Sequence, residues 1–408
     1  MKPQIQPNED QLPDGLYIAL PETAYFRQKA LGSSDLAYLW DDDTADGWWW
    51  RSPNNPHYRR KYRDALDFGS ALHCLGLEGR GAYEARYAVA PNPADFPGLL
   101  ETVDDLKSAL AATSAPSMPS RARKADLVEA AKAYLPGRPI WDDIVEKAKR
   151  KAGDRTVISA EAAYQIEVMV AAGMRDPIMN AMFTAEGGVR LVEVSVFWTL
   201  PSGTRLRFRF DSLLPAANCD LKSIESWRTG ESLADAAGKA IGARSLDLQA
   251  ALSFTARRQA YKAIVEGRLW INPNPEPGAT DPLEQAAWLN RFPGEAPLDL
   301  DGRPGWRWLW AFFQKPTLDG RAPTILPVWM EYGSLEHRDG YRKAALGVAN
   351  YEARVKRFGL DQPWSTSLPA HTIDAGAAPE LQVRIPSWTK QPAAVADEEE
   401  ELTWKRSA

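Results

Sequence analysis

Asp211, Asp220 and Lys222 stand in a short stretch that is otherwise largely apolar, FRFDSLLPAANCDLKS over Phe208–Ser223. Phe208, Phe210, Leu213, Leu214 and Leu221 frame the three polar residues. On a strand, alternate side chains share a face, so Asp220 and Lys222 point one way and Leu221 the other. An antiparallel return through the PAAN turn brings Asp211 to the same end of the sheet. Two neighbouring carboxylates repel and are costly to bury unpaired, and a divalent cation removes that cost. Mg2+ is held by one or two carboxylates, waters and substrate phosphates, which matches the parts present. A lysine between metal and apolar walls, with a lowered pKa, orients or deprotonates a water for attack on a phosphodiester. The competing reading is a surface ion pair on a hairpin, since D-x-K is a common tripeptide.

The elements that must position these residues are legible around them. VRLVEVSVFWTL (Val189–Leu200) and TRLRFRFDSLL alternate across a PSG turn, and CDLKSI is a third short strand, so an antiparallel meander is expected. SLDLQAALSFTARRQAYKAIVEG reads as a long helix packed nearby. SSDLAYLW (Ser33–Trp40) reads as a helix with a serine cap, and Arg59–Glu78 as a helix with Leu66, Gly69, His73 and Leu77 on one side. TVDDLKSALAATSA opens on a capping box, and RARKADLVEAAKAYL forms a second helix, so residues 101–160 read as an inserted helix pair. Residues 160–183 return to helix. GWRWLWAFFQK and APTILPVWMEYG are strand-like, and a helix over Leu335–Arg357 follows. The expected organisation is a flexible lead over 1–30, core over 31–100, the insertion over 101–160, core with the meander over 161–390 and an acidic disordered tail over 391–408.

The chain has 408 residues, 44% of them hydrophobic and 25% charged, an ordinary globular balance. Its net charge of −5 would disfavour nucleic acid, but Asp397–Glu401 supply five of the negative charges and the remainder is near neutral. Basic clusters at Arg121–Lys124, Lys147–Lys151, Arg205–Arg209 and Arg257–Arg258 leave phosphate binding open. Two cysteines, Cys74 and Cys219, exclude a four-cysteine zinc or iron–sulfur site and suit a reducing cytoplasm. No apolar run is long enough to span a membrane, and no apolar segment of the signal-peptide kind opens the sequence, so a cytoplasmic location is expected.

The Asp211…Asp220-Leu221-Lys222 arrangement matches the PD-(D/E)XK nuclease signature. Its surroundings resemble the phage and prophage exodeoxyribonuclease VIII (RecE-like) branch. SSDLAYLW is similar to that branch's serine-rich opening motif, and LDFGSALHCLGLE (Leu66–Glu78) to its glycine–histidine helix. VEVSVFW (Val192–Trp198) with FRFDSLLPAANCDLKS resembles its catalytic meander, and LDLQAALSF (Leu246–Phe254) its glutamine helix. The likeness runs in motif order from about residue 30 to about 350. It implies an α/β (α+β) restriction-endonuclease-like core, with a central mixed sheet, an antiparallel catalytic meander and flanking helices. It also implies His73, Asp211, Asp220 and the Leu221 carbonyl as metal ligands, Lys222 as the catalytic lysine and Gln249 as its brace. Mg2+ would be the cofactor, with Mn2+ able to substitute. Gly69 would let the histidine helix approach the sheet. One departure stands out, for the family's tyrosine one turn after the glutamine is here Ser253.

By the same resemblance, the activity would be exonucleolytic digestion of linear double-stranded DNA from its ends. It would run 5′→3′ and leave a 3′ overhang for a single-strand annealing (RecT-like) partner, in an oligomer inside a phage- or prophage-bearing bacterial cell. The alternatives are a structure-specific PD-(D/E)XK endonuclease and a catalytically weak DNA-binding adaptor. Glu193, on the strand before the hairpin, either holds a metal-bound water or pairs with Arg207 or Arg209. The insertion resembles a SAP-like helix pair, which would place Arg121, Arg123 and Lys124 on the DNA backbone. Ser33 and Ser34 bind a terminal phosphate or cap their helix. Trp48–Trp50 stack on bases or pack, and Cys74 and Cys219 read as small buried residues.

Overall fold

The alternating stretches on either side of the PSG and PAAN turns fold as their pattern implies, into three consecutive antiparallel strands at the middle of a larger sheet. In the computed structural model the described residues are 3–6, 11–58, 64–119, 121–184, 191–214, 216–224, 231–279, 281–289, 305–316 and 322–365. Contacts divide the chain into Met1–Pro363 and Trp364–Ala408, and the sheet with its flanking helices belongs to the first unit. The expected acidic tail over 391–408 lies outside the described residues, as do residues 290–304 before β9.

Strands β1 (Gln4–Ile5) and β2 (Gly15–Ile18) come first, then short helices α1 (Glu22–Arg27), α2 (Ser33–Leu39), α3 (Asp42–Ala45) and α4 (Gly47–Trp50). Helix α5 (Asp64–His73) runs into a π-helical turn, Cys74–Glu78, followed by α6 (Arg80–Arg86) and strand β3 (Tyr87–Val89). Helices α7 (Val103–Ala111), α8 (Lys124–Tyr134) and α9 (Trp141–Ala152) precede β4 (Thr156–Ile158), which pairs in parallel with β3. Helices α10 (Ala160–Arg175) and α11 (Pro177–Thr184) lead to the meander of β5 (Leu191–Thr199), β6 (Arg205–Leu213) and β7 (Ala217–Ile224). Then come α12 (Leu233–Ala243), α13 (Leu246–Val265), β8 (Leu269–Ile271), α14 (Pro282–Trp288), β9 (Arg307–Gln314), β10 (Thr324–Glu331) and α15 (Leu335–Phe358).

The sheet order is β1-β8-β2-β5-β6-β7-β9-β10, with β7 and β9 parallel and the meander antiparallel. This is the mixed α/β architecture with an antiparallel meander that the resemblance implied. On β7 the alternation is clean. Cys219 and Leu221 sink into a core shared with Phe68, Leu72, Ile166, Phe183 and Phe313, while Asn218, Asp220 and Lys222 face the other way, toward α13. The sheet is thereby held between α5, α10 and α11 on one side and α13 with α15 on the other.

Three expectations change. The segment assigned to a flexible lead contains β2, whose four residues are buried between β8 and β5. Its four apolar letters are too few for an alternation to register. The helix after Leu31 is capped by Gly32, not by a serine, and the Asp35 carboxylate accepts from the Gly32 N–H at 2.8 Å. The insertion is three helices, not two: α7 and α8 enclose a small core of Leu100, Leu106, Leu110, Leu127, Val128, Ala131 and Ile140, and α9 follows.

Helix α15 closes over α13 and α2 because its contact stripe is small, with Gly340, Ala344 and Gly347 all buried. A Cβ on Gly340 would lie 2.3 Å from the Asp247 carbonyl oxygen, and one on Gly347 would lie 2.9 Å from that of Leu36. Backbone cannot yield as a side-chain tip can. Gly340→Ala should therefore cost about 1–3 kcal/mol in denaturant unfolding. Gly238→Ala on α12, where a Cβ meets nothing within 4 Å, should be neutral or stabilising by up to about 1 kcal/mol.

Candidate active site

Three carboxylates line up across three adjacent strands. Strands β5 and β6 pair Val192 with Ser212 and Val194 with Phe210, which sets Glu193 opposite Asp211. Strands β6 and β7 pair Ser212 with Cys219 and Leu213 with Asn218, and one step further that register sets Asp211 opposite Asp220. The ladder is interrupted here. Glu193 has φ of 53°, a left-handed backbone in mid-strand for a residue that is not glycine. Such strain persists only where the surroundings enforce it, and it concentrates at working sites. The Val192 N–H beside it is taken up by the Gln285 side chain from α14, at 3.3 Å.

His73 completes the group. Its Nδ1 lies 3.4 Å from Asp211 Oδ2 and its Nε2 lies 2.9 Å from the Leu221 carbonyl oxygen. One ligand atom each from His73, Glu193 and Asp211 falls within a 4.8 Å span. An oxygen-rich set with one imidazole fits a hard dication of the Mg2+ or Mn2+ kind. Gly69, expected to let the helix approach the sheet, has open space around it, while in the π turn a Cβ on Gly76 would crowd the Phe183 ring of α11 at 3.2 Å. A π turn widens the helix, and such turns recur at functional sites.

Asp220, 2% exposed, is engaged by two donors: Lys222 Nζ at 2.7 Å and Gln249 Nε2 at 3.0 Å, both to Oδ1. The structure thus brings together all the residues expected from the meander, the histidine helix and the glutamine helix. The expected ligand set differs in emphasis. Glu193 joins His73 and Asp211 directly, while Asp220 sits next to them in the grip of the lysine. Glu193 also lies 3.7 Å from Arg209, so both of its expected roles meet in one place, and Arg207 instead pairs with Asp35.

The electrostatics follow from burial and crowding. Burial pushes the Glu193 carboxyl up to about 7 against the pull of Arg209, with Asp211 adding to the rise. Burial likewise pushes Asp220 up to about 6 against Lys222. Burial works to lower His73, but Asp211 and Glu193 outweigh it and the net direction is upward. Lys222 follows the same logic: burial opposes its charge, yet Asp220 and Asp211 raise it. Without a bound cation, then, the two carboxylates outweigh burial at Lys222; the lowered pKa is the expectation for a lysine beside a metal.

The expected DNA contacts outside this cluster are scattered. Ser33 is half-buried and Ser34 exposed, both in the first turn of α2. Arg121 is exposed, but Arg123 is paired with Asp126 at 3.1 Å and Lys124 with Asp142 at 2.6 Å. The cluster of Arg205, Arg207 and Arg209 is no surface patch. Arg205 pairs with Asp14, Arg207 donates to the Tyr25 and Gln28 carbonyls, and Arg209 donates to Ser195 and the Leu20 carbonyl. Arginine letters at alternate strand positions tie the N-terminal segment down instead of meeting solvent. Trp48 and Trp49 are buried, and Trp50 is 52% exposed. Cys74 and Cys219 are buried, and burial pushes both thiols up to about 12.

Sequence reasoning missed Asn218 and Arg257. Asn218 Nδ2 donates to Ser253 Oγ at 3.1 Å, and Arg257 donates to Asn218 Oδ1 at 2.9 Å. The period-two spacing of Asn218, Asp220 and Lys222 was the available signal.

No family model matches the chain, and no curated protein matches it. It is similar to a solved structure from Eubacterium rectale described as "Putative exonuclease", at 12% identity over 74% of this chain and 86% of that one, with a TM-score of 0.29. That likeness is too slight to carry an inference, and the functional reading rests on this chain's own residues. No helix among the described residues is long and apolar enough to cross a membrane.

The raised groups fix a pH dependence. The folded state holds the Glu193 proton up to about 7, where the free side chain releases it near 4.5. The resulting stability is complete below about 4.5 and is lost as pH rises through about 7. Asp220, raised from 3.8 to about 6, acts in the same direction. Metal-free protein should therefore melt at progressively lower temperature across this window. The rise in Tm on adding Mn2+ should grow over the same window, as metal displaces protons. Glu193→Gln should flatten both trends in a thermal-shift series.

Proposed function

We propose that this chain is a metal-dependent deoxyribonuclease of the PD-(D/E)XK type, acting as an exonuclease on linear double-stranded DNA. One observation carries the reading. Glu193, Asp211 and Asp220 converge from three strands beside His73, with Lys222 bonded to the last of them. A purely structural ion pair needs neither three carboxylates nor a strained backbone at one of them. The family resemblance of the motifs extends the reading to 5′→3′ digestion that leaves a 3′ overhang. It extends further to a single-strand annealing partner, a ring-like homo-oligomer and a cytoplasmic setting.

His73, Glu193 and Asp211 would hold Mg2+, or Mn2+ in its place, with Asp220 and the Leu221 carbonyl adjoining. When bound, the ion supplies Lewis-acid stabilisation of charge on the scissile phosphate. Lys222, kept protonated by Asp220 and Asp211, orients a water and offsets negative charge on the phosphoryl oxygens. The water oxygen bonds to phosphorus as the P–O3′ bond breaks. The departing oxygen gains a proton, and the attacking water loses one to solvent. Gln249 donates to the same Asp220 oxygen as Lys222 and so steadies the carboxylate that holds the lysine.

The test pairs linear with covalently closed duplex, each with Mg2+ or EDTA. Loss of the linear form alone, only with Mg2+, is the expected result. Nicking of closed circles would favour an endonuclease, and retarded but intact DNA would favour an adaptor. Lys222→Ala should lower cleavage by roughly 10²–10⁴-fold while DNA binding stays within about twofold in a mobility-shift assay. Undiminished cleavage would reject the assignment.

A further inference from the structure

Helix α13 runs antiparallel to β7 and presents Gln249, Ser253 and Arg257 to it, one residue every four. Every fourth helical residue advances about 6 Å, and every second strand residue about 6.6 Å. Helix and strand therefore stay in step from Gln249 to Ser253, and Arg257 reaches past Asn218 to the turn. Gln249 meets Asp220 at 3.0 Å. Ser253 Oγ accepts from Asn218 Nδ2 at 3.1 Å and donates to the Ala250 carbonyl at 2.6 Å. Arg257 donates to Asn218 Oδ1 at 2.9 Å, to the Leu214 carbonyl at 2.9 Å and to the Ala217 carbonyl at 3.4 Å. Asn218 and Ser253 are 0% exposed and Arg257 is 2% exposed, so this part of the line is sealed from water, while Gln249 at its end is half-buried.

The chemistry of the middle contact is directional. The Asn218 amide offers one acceptor to the guanidinium and one donor to the hydroxyl, and no other side chain of its size satisfies both. At the far end, Arg257 grips both carbonyls that flank the turn between β6 and β7. That turn fixes how far β7 slides along β6, and hence whether Asp220 lies opposite Asp211. Among the described residues β6 and β7 pair at Ser212–Cys219 and Leu213–Asn218, extended by the Leu214 N–H on the Ala217 carbonyl at 2.8 Å, so the ladder that holds this register is short.

We propose that Arg257, acting through Asn218 and Ser253, is a positioning residue that sets the register of Asp220 and Lys222 against the metal-binding carboxylates. This rests on the nuclease reading above. The sequence fragments that suggested phosphate contacts at Arg257–Arg258 are thereby divided. Arg257 is an internal clamp, and it reaches the chemistry without touching substrate.

The test compares wild type with Arg257→Lys, which keeps the charge but loses the planar fork, and with Ser253→Ala, a small change that removes the middle contact. Two readouts are taken on full-length protein whose Tm and circular dichroism are checked. The first is Mn2+ affinity from electron paramagnetic resonance of the free ion, without DNA. The second is kcat and KM on linear duplex. Outer-shell partners typically alter metal affinity by about 10–100-fold. Arg257→Lys should therefore weaken Mn2+ binding by roughly tenfold or more, and lower kcat with KM for DNA within about twofold. Ser253→Ala should fall between Arg257→Lys and wild type. Folded variants with wild-type Mn2+ affinity and kcat would overturn the positioning role. If Arg257→Lys does not fold, Ser253→Ala decides alone by the same criteria. A wild type that neither binds Mn2+ nor cleaves DNA would overturn the nuclease reading itself.

Discussion

Like charges held close together in a poorly solvated corner of a sheet are the constraint around which this protein is organised. Glu193, Asp211 and Asp220 occupy facing positions on β5, β6 and β7, the first two partly buried and Asp220 nearly sealed from water. Two consequences follow from elementary electrostatics. Protons are retained on Glu193 and Asp220 well above the usual carboxylate range, and every nearby cation is drawn in, whether Lys222, Arg209 or His73. A site that takes up protons and cations so readily is one that a divalent ion satisfies at once.

The scaffold explains how such a cluster persists. On one side, the apolar face of β7 is locked into the core with Leu72, Ile166 and Phe313, so the strand cannot tilt its carboxylate out to solvent. On the other, the polar line along α13 bonds the Asn218 amide and Oδ1 of Asp220. Buried polar networks are tolerable only when their members are paired, and here the pairing runs from the hairpin turn to the lysine. Helix α15, close-packed through glycine, presses α13 against the sheet. Lys343 from α15 also binds Asp247 at the start of α13. Strand β7 is therefore held through helices packed behind it.

The arginines show the same economy of placement. Arg205, Arg207 and Arg209 occur at alternate positions of one strand, and each captures backbone carbonyls or carboxylates of the N-terminal segment. Residues 12–35 are thereby folded against the sheet beside the carboxylates. Charge that reads in the letters as a nucleic-acid surface is, in the fold, internal mortar. The basic opening of α8 behaves similarly, with Arg123 and Lys124 answered by Asp126 and Asp142.

The letters alone determined the meander, the long helix over Leu246–Val265 and the trio Asp211, Asp220 and Lys222, because period-two and period-3.6 patterns are local and survive without neighbours. They also placed His73 and Gln249 within reach, through the order of motifs. Only tertiary structure decided the rest. Glu193 enters the ligand cluster because its backbone is forced left-handed, which no side-chain pattern encodes. Gly69 turns out to have open space around it, and the crowded glycine is Gly76, against Phe183 of α11, because close approach depends on where the π turn falls. Lys222 is charged because two carboxylates, brought from different strands, outweigh its burial. Asn218, Ser253 and Arg257 form a line only once a helix pitch and a strand pitch are laid side by side. Partners distant in sequence set these outcomes, and a linear pattern carries no record of distance.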